Sequence, residues 1–109
     1  PKEIKSEEAR LISQKIKVED VVYLLDEKGK SYTSTVFSKQ IEQHMISGTK
    51  RIVFVIGGAY GFTDGLYQKY PKLMCLSEMT FSHQMARLFF CEQLYRAFTI
   101  INNHPYHNN

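Results

Sequence analysis

One stretch near the middle of the chain, RIVFVIGGAYGF at Arg51–Phe62, constrains the fold more than any other. The apolar and mostly β-branched run Ile52–Ile56 is typical of a strand buried on both faces of a parallel sheet. Gly57, Gly58 and Gly61 then allow a sharp turn and leave room where a side chain would block a bound molecule. The same glycines also suit an ordinary strand-to-helix turn, so the stretch alone does not decide between the two.

Two further strands and four helices are predicted from apolar periodicity and end signals. The resulting order of helix, strand, helix, strand, helix, strand and helix predicts an α/β fold with a mostly parallel sheet flanked by helices. The strands are Val21–Leu25, ending in a turn from Asp26 to Gly29, and Lys72–Leu76. The helices run from a cap at Ser6 to about Lys17, from a cap at Ser34 or Thr35 to Gly48, from Asp64 to Tyr70, and from His83 to about Ile101.

The last predicted helix has a wide apolar surface. On a wheel of about 100° per residue, apolar side chains fill roughly half the circumference, which predicts contact with its own sheet and with a second subunit. Arg87 falls within this arc, where an unpaired guanidinium is costly to bury. We therefore expect an acidic partner, a wet interface or a ligand beside it. The apolar positions are Leu88, Phe90, Cys91, Leu94, Tyr95, Ala97, Phe98 and Ile101.

Length and composition are those of an ordinary globular protein. With 109 residues, 43% of them apolar and 23% charged, the chain is expected to form a single domain over residues 1–109. No signal peptide and no apolar run of about 20 residues is present, so we expect a cytoplasmic protein. A net charge of +3 is compatible with nucleic acid but does not by itself indicate it. Cys75 and Cys91 lack a C-x-x-C spacing and are expected to be buried free thiols.

The glycine turn also allows a dinucleotide-binding interpretation, since Glu78 lies about 20 residues beyond it, where a ribose-binding acid would be expected. The pattern G-G-A-Y-G nevertheless departs from G-x-G-x-x-G, and the chain leaves little space for a second half-site. His104 and His107 have a metal-ligand spacing only on a helix, which Pro105 breaks, so no metal site is expected. No G-x-S-x-G sequence suggests a catalytic triad.

Three loops that follow predicted strands remain as a candidate site: the turn after Leu25, the turn Gly57–Gly61 and the loop Ser77–Ser82. Loops at the carboxyl ends of parallel strands gather at one edge of a sheet and form the ligand crevice. We expect an adenosine pocket there. The nearby aromatic residues, which either stack on a base or belong to the core, are Phe62, Phe81 and Tyr106.

Four motifs cover nearly the whole chain: LLDEKGK at Leu24–Lys30, FVIGGAYGF at Phe54–Phe62, LSEMTFSHQMAR at Leu76–Arg87 and EQLYRAFTIINNHPYH at Glu92–His107. In this order and spacing they resemble the bacterial ribosomal large-subunit pseudouridine N3-methyltransferase family, within the SPOUT superfamily of trefoil-knotted methyltransferases. Members usually have a few dozen further residues ahead of Pro1, including a first strand and helix, which the chain is expected to lack.

The resemblance implies a SPOUT-type α/β fold with a C-terminal trefoil knot, a homodimer and S-adenosylmethionine as cofactor. It implies methylation of N3 of a pseudouridine in 23S ribosomal RNA (helix 69 loop, 1915-type position) on the assembled ribosome. The implied cofactor contacts are Leu25, Gly57, Gly58, Leu76, Ser77, Glu78, Met79, Thr80 and Phe81. The side chains implied to face the methyl group and the RNA are His83, Arg87, Arg96, Tyr106 and His107.

The sequence departs from the family pattern at three positions. Ala59 and Ser82 replace prolines, and Asn108 replaces a basic residue that some members have, which weakens the expectation of a basic contact in the tail. Two other interpretations stay open: a non-catalytic ribosome- or RNA-binding module that keeps the cofactor pocket, and a nucleotide-binding domain fragment. A branched side chain at Gly57 is expected to fill space that the cofactor needs.

Overall fold

The computed structural model describes residues 2–57, 61–76 and 82–102, which form an α/β fold with helices on both faces of a parallel sheet. The elements are α1 (Lys2–Lys15), β1 (Val21–Ser31), α2 (Ser34–Ile46), β2 (Ile52–Ile56), α3 (Asp64–Lys69), β3 (Leu73–Cys75) and α4 (His83–Ile101). The predicted order of elements is confirmed, and β2 and α4 have the predicted bounds.

Two predicted helix starts are wrong. The first helix begins at Lys2, so Ser6 lies within it and is not its cap. The cap of α2 is Thr33, whose hydroxyl oxygen accepts a hydrogen bond from the backbone N–H of Val36 at 3.2 Å. Gly48 stands just beyond the end of α2 with a φ of 78°, as expected of a glycine that ends a helix.

The sheet has the strand order β2-β1-β3, and all its pairs are parallel. Residues Val21–Leu25 pair in sequence with Ile52–Ile56. The prediction that β2 is buried on both faces is wrong for the described chain, since each of its five residues is only half-buried. The reason is its place at the edge of the described sheet.

The side chains of β1 alternate between two cores, as expected for a strand with helices on both faces. Val22 and Leu24 pack with Phe62 and Leu66 on the face covered by α1 and α3. The other face is covered by α2 and α4, and its aromatic rings meet around Phe54. The centroid of that ring lies 4.7 Å from Phe90, 5.3 Å from Tyr23 and 5.9 Å from Phe37.

The segment Asp26–Gly29 carries β1 from one edge of β3 to the other. Met74 pairs with both Leu25 and Lys30. A strand residue presents one edge to each neighbour, so these two partners lie on opposite sides of β3. Gly29 lies at the crossing, where a Cβ atom would be 2.6 Å from the amide nitrogen of Met74. The turn expected after Leu25 is therefore a crossing, beyond which β1 continues.

The apolar residues of α4 divide between a buried and an exposed face. The buried face packs on α2 and the sheet and consists of Phe90, Leu94, Ala97 and Ile101. The exposed face consists of Met85, Leu88, Cys91, Tyr95 and Phe98. The prediction that both cysteines are buried is therefore wrong for Cys91. Only half of the predicted apolar arc is covered within this one chain.

His44 of α2 contacts the sheet through one ring nitrogen and the loop before β2 through the other. Its Nε2 atom is 2.7 Å from the hydroxyl oxygen of Tyr23, and its Nδ1 atom is 3.5 Å from the hydroxyl oxygen of Thr49. Burial, and then the charge of Lys72, lower the pKa of His44. The folded protein thus favours the neutral imidazole.

We expect the free energy of unfolding to decrease as the pH falls from about 7 to about 5. The pKa of His44 is lower in the folded protein than in the unfolded chain, so the unfolded chain binds the proton first and is stabilised by it. Urea denaturation at pH 7, 6 and 5 measures this effect. The variant His44→Gln should lose most of the pH dependence; an unchanged pH dependence would assign it to other groups.

Candidate functional site

Three predicted cofactor residues lie at one edge of the sheet. Leu25 pairs with Ile56 on one side and with Met74 on the other. Gly57 directly follows Ile56, and Leu76 lies two residues after Met74. Since neighbouring strands are about 4.8 Å apart, Gly57 and Leu76 flank Leu25 within about 10 Å of each other, where β2 and β3 end and β1 begins its crossing. Their backbone groups can therefore serve one ligand.

The remaining predicted cofactor residues lie outside the described residues; they are Gly58, Ser77, Glu78, Met79, Thr80 and Phe81. Tyr106 and His107 lie outside them as well, and so does the side chain of His83, whose backbone begins α4. The cap of that helix is Ser82, whose hydroxyl oxygen accepts a hydrogen bond from the N–H of Met85 at 3.2 Å.

Gly57 faces the protein's own core. A Cβ atom at this position would lie 2.8 Å from the Cζ atom of the Phe62 ring, and Phe62 is only 4% exposed. The possibility that Phe62 stacks on a base is thus excluded, since its ring fills the core beneath the glycine turn. A side chain at Gly57 therefore disturbs the packing of Phe62, so a loss of cofactor affinity in a Gly57 variant does not by itself locate the cofactor.

Tyr67 of α3 holds the crossing segment beside this edge. Its hydroxyl donates a hydrogen bond to the carboxylate of Asp26, and the ammonium group of Lys28 lies 5.3 Å from the centre of its ring. Burial, followed by the hydrogen bond to Asp26, raises the pKa of Tyr67 to about 12, so the phenol stays a donor at neutral pH. No sequence pattern connects Tyr67 with Asp26, which is 41 positions away.

A cleft of about 330 Å³ opens beside the end of β3, between the start of α2 and the middle of α4. The hydroxyl of Ser34 donates a hydrogen bond to the side-chain oxygen of Gln93 at 2.6 Å on its wall. Sequence reasoning missed this cleft, although the spacing of four between Phe89 and Gln93 places both on one face of a helix. Its lining also includes Tyr32, Phe37 and Leu76.

Of the side chains expected to face the methyl group and the RNA, two are described. The guanidinium of Arg96 donates a hydrogen bond to Glu92, four positions earlier on α4, at 2.8 Å. Arg87 is exposed, and the ion pairs found among the described residues do not include it. The acidic partner considered for Arg87 is thus absent from the described part of the chain, which leaves its charge available to a ligand.

The described ranges contain no cluster of possible metal ligands, since no three His, Cys, Asp or Glu side chains come together there. Among the helices of the described residues, none is long and apolar enough to cross a membrane.

Comparisons with known proteins agree with this architecture. The family model described as "Predicted SPOUT methyltransferase" matches residues 1–107. The chain is 56% identical over 104 residues to a protein of Flavobacterium psychrophilum named "Ribosomal RNA large subunit methyltransferase H", with 95% of this chain and 66% of that protein covered. A protein of the same name from Christiangramia forsetii is 54% identical with the same coverage. One from Bacteroides fragilis is 46% identical over 108 residues, which are 99% of this chain and 69% of that protein.

The chain spans 66% of the length of the first two relatives. The family model nevertheless matches nearly all of this chain, residues 1–107. The parallel sheet with helices on both faces agrees with that match, and the chain belongs to the SPOUT methyltransferase family.

Proposed function

We propose that the chain carries the catalytic site of an S-adenosylmethionine-dependent methyltransferase that acts on N3 of a pseudouridine in 23S ribosomal RNA. The observation that carries this proposal is the position of Leu25, Gly57 and Leu76 at one carboxyl edge of a parallel sheet, in a chain of the SPOUT family. The names of the relatives, which are 46% to 56% identical, support ribosomal RNA as the substrate.

The chemistry of this edge fits the cofactor. The adenine ring and the amino-acid group of S-adenosylmethionine need hydrogen-bond partners in fixed positions, which backbone groups at the ends of strands supply. Leu25 and Leu76 pack against the core between the sheet and α4, so they keep water from this wall. When bound, the cofactor supplies an electrophilic methyl group on a positively charged sulfur.

The overall reaction exchanges the N3 proton of the base for a methyl group. A neutral imide nitrogen is a poor nucleophile, so the proton must leave to a base or the resulting anion must be stabilised. We assign stabilisation of the anion to the exposed cation of Arg87. His83, Tyr106 and His107 stay candidates for the base, and Arg96 for an RNA contact beyond its ion pair with Glu92.

We further propose the trefoil knot and a homodimer. The crossing of Asp26–Gly29 over β3 supports the knot, because it places the two halves of β1 on opposite sides of one strand. The exposed apolar face of α4 supports the dimer, since Leu88 and Tyr95 are 61% and 52% exposed in the single chain and an exposed apolar patch commonly marks an interface. Ribosome-bound RNA would then meet a surface with the charge of two chains.

The decisive experiment uses ribosomes that lack the modification, incubated with the protein and methyl-labelled S-adenosylmethionine. Mass spectrometry of the ribosomal RNA should find the label on N3 of the pseudouridine in the helix 69 loop. Binding of S-adenosylhomocysteine in calorimetry without any labelled RNA would favour the non-catalytic ribosome-binding module. Binding of NAD in place of S-adenosylhomocysteine would favour the nucleotide-binding fragment.

A double-mutant cycle separates the two roles of Gly57. The variant Gly57→Ala should destabilise the protein by about 1–3 kcal/mol, because its methyl group meets the ring of Phe62. In the background of Phe62→Leu this extra cost should be smaller. Because the methyl group points at the core, the affinity for S-adenosylhomocysteine, measured by calorimetry, should return in the double variant to within about twofold of that of Phe62→Leu alone. A loss of about tenfold or more that persists there would mean that the methyl group also enters the cofactor site.

A further inference from the structure

We infer that the cleft between α2 and α4 receives the target base, and that Gln93 distinguishes pseudouridine from uridine. This inference rests on the proposed function and names the edge of the substrate base that the chain reads. It comes from the shape of the cleft, from the polar groups on its wall and from the position of the cleft beside the proposed cofactor edge.

The size and lining of the cleft suit one nucleoside. Its volume of about 330 Å³ lies at the lower end of the roughly 300–1,000 Å³ of small-molecule sites. Its aromatic residues are Tyr32, Phe37 and Phe89, and single-stranded RNA bases are commonly recognised by stacking on such rings. Phe89 is 37% exposed, so the cleft is open to solvent on this side.

The side chain of Gln93 presents an amide to this cleft. Its oxygen accepts a hydrogen bond from Ser34 at 2.6 Å, which fixes the orientation of the amide and leaves the oxygen a second lone pair. The amide nitrogen has two N–H donors, and no hydrogen bond to an acceptor is found for them within the described ranges. A primary amide in this state is complementary to a base edge that has one N–H donor beside one carbonyl oxygen.

Uridine has edges of this kind only at N3–H, beside O2 or O4, so pairing there covers the atom to be methylated, whereas pseudouridine has a further edge that does not use N3. In uridine N1 is bonded to the sugar, whereas in pseudouridine the sugar is attached to carbon 5, so N1–H and O2 form an open donor and acceptor pair. If Gln93 pairs with N1–H and O2, the N3 atom stays unpaired and available for methylation. Leu76 lines the cleft and also belongs to the proposed cofactor edge, so a base in the cleft would adjoin that edge. Gln93 and Arg87 are six positions apart on α4, about 240° around the helix, so the guanidinium that stabilises the anion of this base would come from the second subunit of the proposed homodimer.

The test compares nucleosides and needs no methyl transfer. Titrations of the protein followed by NMR should show that 3-methylpseudouridine, which keeps the N1–H and O2 edge, binds about tenfold more tightly than 3-methyluridine, whose base has no N–H group, as expected for one additional hydrogen bond. The variant Gln93→Met, which keeps length but removes the amide, should bind both nucleosides equally. Its affinity for S-adenosylhomocysteine should stay within about twofold of the original protein. The matched control is Gln43→Met on the exposed side of α2, which should keep the preference.

Three results would overturn the inference: no preference for 3-methylpseudouridine in the original protein, an undiminished preference in Gln93→Met, or a parallel loss of affinity for S-adenosylhomocysteine. The last result would assign the cleft to the cofactor. If the preference disappears in Gln93→Met although the original protein leaves ribosomes unmethylated, that result would support the cleft as the site of the base and contradict the proposed reaction. Methylated ribosomes with an undiminished preference in Gln93→Met would contradict the inference alone.

Discussion

Replacing Gly29 with alanine should destabilise the protein by about 3 kcal/mol or more. A Cβ atom at this position would lie 2.6–2.8 Å from backbone atoms of Leu73 and Met74, which cannot rotate away as a side chain can. Either the segment Asp26–Gly29 lifts off β3, or the pairing of Met74 on one side of β3 is lost. Urea denaturation followed by far-ultraviolet circular dichroism measures the change in the free energy of unfolding.

Two other glycines provide matched controls for this substitution. Gly65→Ala should change stability by less than about 1 kcal/mol, because position 65 lies in α3 and its nearest neighbour is 3.9 Å away. Gly48→Ala should cost about 1–2 kcal/mol, because the site is open but has a φ of 78°. Equal costs at positions 29 and 48 would contradict the close approach at the crossing.

Replacing Arg87 with alanine should lower the single-turnover rate of RNA methylation by about 10²–10³, the range expected when one group that stabilises a developing anion is removed. Stability should change little, because Arg87 is exposed and makes no ion pair among the described residues. The variant Arg87→Lys keeps the charge without the planar fork and should recover only part of the rate. The assay uses ribosomes that lack the modification.

The control for this prediction is Arg10→Ala on α1. Arg10 is also exposed, and its ion pair with Glu7 lies on the surface, where such pairs contribute little. Its removal should leave the rate within about twofold of the original. If Arg87→Ala raises KM for the ribosome with kcat unchanged, Arg87 binds RNA phosphate rather than the reacting base. An unchanged rate and KM would remove Arg87 from the site.

Local sequence patterns were sufficient for most elements of the fold. The apolar run Ile52–Ile56 and the long periodic segment His83–Ile101 have the bounds that the sequence predicts, because each is defined by neighbouring residues along the chain. The alignment of Leu25, Gly57 and Leu76 was also predictable, since parallel strands bring their carboxyl ends to one edge. Helix starts such as Thr33 were less predictable because several adjacent residues are able to cap.

Contacts between residues far apart in sequence could not be predicted from these patterns. The sequence suggests that Gly57 leaves room for a ligand, yet the space that a side chain at this position would fill is occupied by the ring of Phe62. The hydrogen bond between Tyr67 and Asp26 joins residues 41 positions apart, and that between Ser34 and Gln93 joins residues 59 positions apart. Neither pair has a spacing that distinguishes it from the other polar residues of the chain.

The sequence by itself determined the alternation of helices and strands, the parallel sheet and the edge at which a ligand site is expected, because periodicity and chain direction are local properties. Only the tertiary structure decided that β1 crosses β3 at Gly29, that half of the apolar surface of α4 stays exposed, and that a cleft forms beside Gln93. These features depend on which elements pack together, and packing is a property of the whole folded chain.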